Sequence, residues 1–148
     1  MATILLISGP NLNLFGQRDP AVYGTDTLED MVADVVAVLE PAGHQVRHVQ
    51  SSSEGVIVDA IHAARNDCAA IVINPGAFGH YAYAITDALS MFDGPKIELH
   101  VSNPLAREPW RHQSVIAGVV DASIAGFRRL GYRLAASAVV EQLGGKSV

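Results

Sequence analysis

"AAIVINPGAFGH", residues 69–80, decides the fold. The five residues 69–73 are apolar without interruption, and Asn74, Pro75 and Gly76 then break the run. A strand with one wet face would alternate. An unbroken apolar strand belongs to a parallel sheet covered on both faces. The flanks agree with that. Upstream, Ile57, Ala60, Ile61 and Ala64 give one apolar face at helical spacing, and downstream the segment 81–92 predicts another helix. A helix, a buried strand and a helix make up the middle of a βαβ chain.

The same alternation extends outward. Residues 3–7 and 45–49 read as strands. Between them Leu28, Met31, Val32, Val35, Val36 and Leu39 repeat at helical spacing. Thr27 and Asp30 form a capping box at the start of that helix, and Gly43 follows its end. Residues 96–101 predict a fourth strand, the segment 122–124 a fifth, and 128–143 a closing helix. Right-handed crossovers then imply one α/β domain over residues 1–148. Its expected form is a flavodoxin-like three-layer sandwich around a five-stranded parallel sheet of order 2-1-3-4-5.

Composition narrows the class. Of 148 residues, 49% are hydrophobic and 17% charged, which describes a chain able to bury a real core. A net charge of -5 argues against nucleic acid as partner. Cys68 stands alone, so no internal disulfide forms, which fits a reducing cytoplasm. No apolar run approaches the roughly 18 residues of a membrane span. The mean hydropathy of +0.24 predicts that other copies of the chain cover part of its surface.

In an open α/β sheet the ligand sits outside the carboxyl ends of the strands. Three Gly-, Pro- and Asn-rich segments lie there: "SGPNLNLFGQRDPAVYG" at 8–24, "NPGAFGH" at 74–80 and "HVSNPLAREPWR" at 100–111. The first is long for a strand–helix connection, and long loops tend to be functional. Together the segments place Asn11, Arg18, Tyr23, Asn74, His80, His100, Ser102, Arg107 and Arg111 along one edge. Several arginines gathered at one edge of an acidic protein indicate an anion, or a negative charge that develops during reaction.

Other α/β chemistries lack their residues. No G-x-G-x-x-G follows the first strand, and no G-x-S-x-G is present. Receiver domains need acidic residues at these strand ends, where Ser8 and Asn74 stand instead. The "GGKS" at 144–147 has neither the strand nor the helix of a phosphate-binding loop. Lys96 and Lys146 are the only lysines, and neither is placed for an imine. His44, His48 and His62 form no ligand cluster with cysteine or acid, so no metal is expected, and no cofactor. Acid–base chemistry on Tyr23 and His100 remains. Singly, a loop tyrosine usually packs and a strand-end histidine usually bonds structurally. The two together, among arginines, point to function.

The chain resembles the type II dehydroquinases, the 3-dehydroquinate dehydratases. The resemblance rests on ordered blocks: "GPNLNLFGQRDPAVYG", "SSSEGVIVDAIH" at 51–62, "INPGAFGH" at 73–80, "IELHVSNPLAREPWRHQS" at 97–114 and "GYRLA" at 131–135. It implies a flavodoxin-like lyase that converts 3-dehydroquinate to 3-dehydroshikimate by anti elimination through an enolate, without metal or imine. Carried over by position, Tyr23 would be the base, held as tyrosinate by Arg18 and Arg111. His100 would be the acid, with Glu98 supporting its ring, and Asn11 would position a water against the enolate oxygen. Asn74, His80, Ser102 and Arg111 would bind hydroxyls and carboxylate, with Val101 beside them and Arg107 further back. The loop at 8–24 would be a lid that brings Arg18 and Tyr23 onto the substrate. Asp87 would reach a neighbouring subunit's site in a dodecamer of four trimers. The chain departs from the common pattern at Gly79, Ala82, Leu105, Pro109-Trp110 and Arg128. Two readings of other classes stand beside this one. A small-anion or flavin-binding module would explain the arginines but not Tyr23 with His100. A structural assembly subunit would explain the apolar composition but not the loop.

Overall fold

The computed structural model describes residues 1–144; Lys146 and the rest of the "GGKS" tail after Gly144 lie outside the described residues. Five strands, β1 (Thr3–Ser8), β2 (Gln45–Gln50), β3 (Ala70–Asn74), β4 (Lys96–His100) and β5 (Ala122–Ala125), form a sheet of order β2-β1-β3-β4-β5. Every pairing is parallel. The helices are α1 (Pro20–Tyr23), α2 (Leu28–Leu39), α3 (Glu54–Asp67), α4 (Tyr83–Ser90) and α5 (Leu130–Leu143).

Side chains alternate across a strand, so β1 and β3 feed two cores, and β4 adds to the first. Ile4, Leu6, Val72, Ile97 and Leu99 pack with Met31, Val35 and Leu39 of α2 and Tyr132, Ala135 and Val139 of α5. Leu5, Ile7, Ile71 and Ile73 pack on the other face with Ile57 and Ile61 of α3 and Ile85 and Leu89 of α4. This is the three-layer arrangement predicted from the unbroken run in β3, all five residues of which are buried.

Thr27 begins α2 as a capping box. The Asp30 N–H donates to Thr27 Oγ1 at 3.2 Å, and the Thr27 N–H donates to the Asp30 carboxylate at 3.0 Å. Inside the first core, Asp34 of α2 accepts from Arg129 Nε at 2.6 Å and Nη2 at 3.0 Å, and from Arg133 Nη2 at 3.1 Å. These bonds join α2 to α5 and hold the Asp34 carboxyl down at about 2, against its desolvation.

Two boundaries differ from the sequence reading. The helix predicted over 81–92 is shorter, because residues Gly76–His80 wind as a 3-10 turn before α4 begins at Tyr83. The segment 8–24 is not one open loop. It holds a 3-10 turn, Leu12–Leu14, and then α1. Asp19 caps α1 by accepting the Ala21 N–H at 3.0 Å, Pro20 occupies its first turn, and Gly24 at φ 75 ends it. Four residues are too few to show helical periodicity.

Gly9 closes the sheet toward the site. Its N–H donates to the Asn74 carbonyl at 2.9 Å, and a Cβ there would fall inside the Pro75 carbonyl. The ends of β1 and β3 therefore meet as closely as backbones can.

Candidate active site

The register brings Ser8 level with Asn74, and Ile73 level with Glu98. The loops beyond those ends converge on one cleft. Asn11, Arg18, Tyr23, Asn74, His80, His100, Val101, Ser102, Arg107 and Arg111 all line it. Glu98 lies behind His100, and Asp87 is elsewhere.

Tyr23 is the last residue of α1 and is 8% exposed. Its ring packs against Phe15 at 5.7 Å between centroids. Arg18 Nη2 donates to Tyr23 Oη at 2.8 Å, and the same guanidinium lies 3.8 Å from the ring centroid. The second cation at this ring is Arg107, 5.0 Å from the centroid. Among the described residues, the guanidiniums over the Tyr23 ring are those of Arg18 and Arg107, while Arg111 lines the cleft elsewhere. Arg107 faces the tyrosine directly and also donates to Ser102 Oγ at 3.0 Å. Arg111 instead directs its Nε at both Glu108 oxygens, each at 3.2 Å, and lies over Trp110. The intervening turns, Pro104–Ala106 and Pro109–Arg111, turn the two arginines toward different neighbours.

Across the cleft stand two imidazoles. Glu98 and His100 are two apart on β4 and so share a face, the one turned toward α3 and α4. Glu98 is 2% exposed, and its Oε2 is 2.6 Å from His100 Nε2. A buried carboxylate accepts, so that nitrogen carries the proton and Nδ1 is left for the cleft. Ser114 Oγ lies 3.0 and 2.9 Å from the two Glu98 oxygens. It accepts the Ile116 and Ala117 N–H groups at 3.2 and 3.0 Å, which directs its own proton to Glu98. His80 stacks on His100 at 6.4 Å and donates from Nδ1 to the Gln113 carbonyl at 2.7 Å.

Asn74 forms the floor. Its Oδ1 accepts the Gly76 N–H at 3.3 Å, which fixes the amide orientation, and Nδ2 donates to Tyr132 Oη at 3.0 Å. Burial pushes the Tyr132 hydroxyl up to about 12, so it remains protonated beneath the site. Asn11 sits at φ 69, a left-handed conformation that asparagine tolerates better than most residues, and its side chain caps nothing. Lys96 is at the far end of β4, donating to the Phe92 and Gly94 carbonyls. Asp87 is exposed on α4 and outside the cleft.

Ser114 and Tyr132 escape sequence reasoning. Each lies in a quoted block, but nothing in spacing connects Ser114 to Glu98 or Tyr132 to Asn74.

The cleft therefore combines a phenol under two guanidiniums with a carboxylate-backed imidazole, around a space able to take a small anion. Comparison with known proteins agrees. A family model described as dehydroquinase class II matches residues 2–140. The protein named 3-dehydroquinate dehydratase of Bacillus subtilis is 45% identical, covering 99% of this chain and 99% of its own. That of Xanthomonas euvesicatoria is 49% identical over 97% of each chain. The crystal structure of type II dehydroquinase from Propionibacterium acnes superposes with a TM-score of 0.90 at 41% identity, covering 95% of this chain and 97% of that one.

Proposed function

Because the chain belongs to the dehydroquinase class II family, we propose that it dehydrates 3-dehydroquinate to 3-dehydroshikimate as a single catalytic domain. The observation that carries this reading is the pair of opposed acid–base groups: Tyr23 bonded to Arg18 on one side, and His100 bonded to Glu98 on the other.

The chemistry follows from the substrate. A proton beside a ketone is removed only if the resulting negative charge is held. Tyr23 Oη takes the C2 proton, and the C–H pair moves into the ketone as an enolate. Arg18 holds the base by its charge-assisted bond to Oη, and the Arg107 guanidinium lies over the ring. Asn11, unbonded at the cleft rim, positions a water against the enolate oxygen. The enolate then collapses, a C1–C2 double bond forms, and the C1 hydroxyl departs. Hydroxide is a poor leaving group, so His100 Nδ1 delivers a proton and water leaves. Glu98 holds the imidazole in place through its bond to Nε2. Asn74, His80, Val101, Ser102 and Arg111 hold the remaining hydroxyls and the carboxylate.

The test is direct. Purified protein mixed with 3-dehydroquinate should generate the ultraviolet absorbance of a conjugated enone. Its absence with folded protein would refute the assignment, and a yellow protein carrying flavin would support the binding-module reading.

In this reading the working form is a homo-oligomer, a dodecamer of four trimers, in the cytoplasm. Tyr81, Tyr83 and Met91 are exposed in and around α4, beside Asp87. Asp87 is exposed and outside its own chain's cleft, and in this reading it serves the site of a neighbouring copy. Light scattering should give a multiple of three chains. A monomer with full activity would exclude this arrangement.

A further inference from the structure

Arg128 occupies the turn between β5 and α5 at φ 55, a left-handed conformation that costs any residue with a Cβ. Its backbone is pinned there, with its N–H donating to the Val101 carbonyl at 2.9 Å. Glycine would satisfy this backbone without strain. An arginine in such a place needs a reason, and its side chain supplies one. Nη1 donates to the Val22 carbonyl at 3.3 Å and Nη2 to the Ala21 carbonyl at 3.1 Å.

Those two carbonyls belong to α1, the single turn that ends in Tyr23. A helix leaves its last carbonyls without intrahelical donors. In α1 the Gly24 N–H satisfies Pro20, and the Val22 and Tyr23 N–H groups satisfy Asp19. Among the described residues no backbone N–H reaches Ala21 or Val22. Arg128 caps both, with a cation at the negative end of the turn. Its neighbour Arg129 does a different job. It donates to Asp26 at 3.0 Å and to Asp34 of α2, so it fixes the chain just beyond α1 to the body of the domain. The base of the segment is thus anchored by Arg129, and the part carrying Tyr23 by Arg128.

We infer that Arg128 is a positioning residue: a latch that holds α1 over the cleft and so presents Tyr23 to the substrate, at the expense of a strained backbone. The inference rests on the dehydratase reading for its kinetic consequence, but not for its structural one.

The experiment compares wild type with Arg128→Gly and Arg128→Lys. The glycine variant removes the side chain and relieves the backbone, so its thermal midpoint should not fall. Without substrate, amide hydrogen exchange at Val22, Tyr23 and Gly24 should speed up roughly three- to tenfold, the size expected from losing exposed charge-assisted caps. Exchange in β1 and β3 should not change. With 3-dehydroquinate, KM should rise by a similar factor, because substrate must then select a less populated closed form. The lysine variant, which can reach one carbonyl and keeps the strain, should exchange at an intermediate rate. Unchanged exchange at residues 22–24 in Arg128→Gly would overturn the proposal. So would a rise that extends equally through β1 and β3, since Arg128 would then act on global stability. Absence of turnover in wild type would refute the dehydratase reading, while the exchange rates would still decide the role of Arg128.

Discussion

Replacing Tyr23 by Phe keeps the ring that packs on Phe15 and removes the oxygen that Arg18 holds. General base catalysis contributes roughly 10²–10⁴-fold, so turnover should fall by that order with the thermal midpoint nearly unchanged. Near-normal turnover by folded Tyr23→Phe would take the base role from this residue. Ser114 acts one bond further away. Its hydroxyl proton is committed to Glu98, whose other partner is His100. Ser114→Ala should lower kcat by about tenfold, the size of one lost bond to a charged group, and leave KM within about twofold. A variant that raises KM without touching kcat would show that Ser114 acts on binding alone. These two residues also mark what the sequence could reveal. Tyr23 was legible because it stands beyond a strand end with a nearby arginine. Glu98 was legible only through family resemblance, as a buried acid within a strand. Ser114 was not legible, because its contact spans 16 residues and is made by the fold.

At the scale of elements the predicted alternation holds, since the sheet has the expected order and each major helix covers the expected apolar face. The strongest signal was the doubly buried β3, where periodicity and length agree. Periodicity failed where an element is shorter than its own period: α1 and the 3-10 turns are fixed by caps, prolines and single hydrogen bonds. The different directions of Arg107 and Arg111 have the same origin, because two short turns set them. The β1–β3 junction offers a sharp test. Gly9→Ala would drive a methyl into the Pro75 carbonyl, which is backbone and cannot rotate away. Forcing such a contact costs about 1–3 kcal/mol, and in chains of this size each kcal/mol lowers the midpoint by about 2–4 °C. The strand ends also set the position of Asn74, so turnover should fall as well. A Gly9→Ala protein with wild-type midpoint and turnover would mean that this junction is looser than its geometry requires.

For the whole molecule, the half-buried His48 and the buried Asp34 predict how stability responds to acid. His48 on the edge strand β2 pairs with Ser8 Oγ at 2.9 Å, and burial lowers its pKa below the ordinary 6.5, against a smaller opposing pull from Glu29. The folded form therefore favours neutral His48, while the unfolded chain takes up a proton near pH 6.5. Stability from this group is complete above that pH and is lost as pH falls through the lower folded value. Asp34 behaves in the same direction in a lower window. Its pKa is drawn from 3.8 to about 2, chiefly by the Arg129 bond, so its contribution is complete above about 3.8 and disappears as pH approaches 2. The thermal midpoint should thus decline in two separate ranges, one beginning near pH 6.5 and one beginning near pH 4. His48→Gln retains a side chain able to bond Ser8 and should remove the upper decline alone. Asp34→Asn should lower the midpoint at pH 7, because Arg129 and Arg133 lose their carboxylate, and should flatten the lower decline. The check is a series of melting curves from pH 8 to pH 2 for the three proteins. A single decline that neither substitution alters would show that acid acts through the general accumulation of charge, and that neither His48 nor Asp34 controls it.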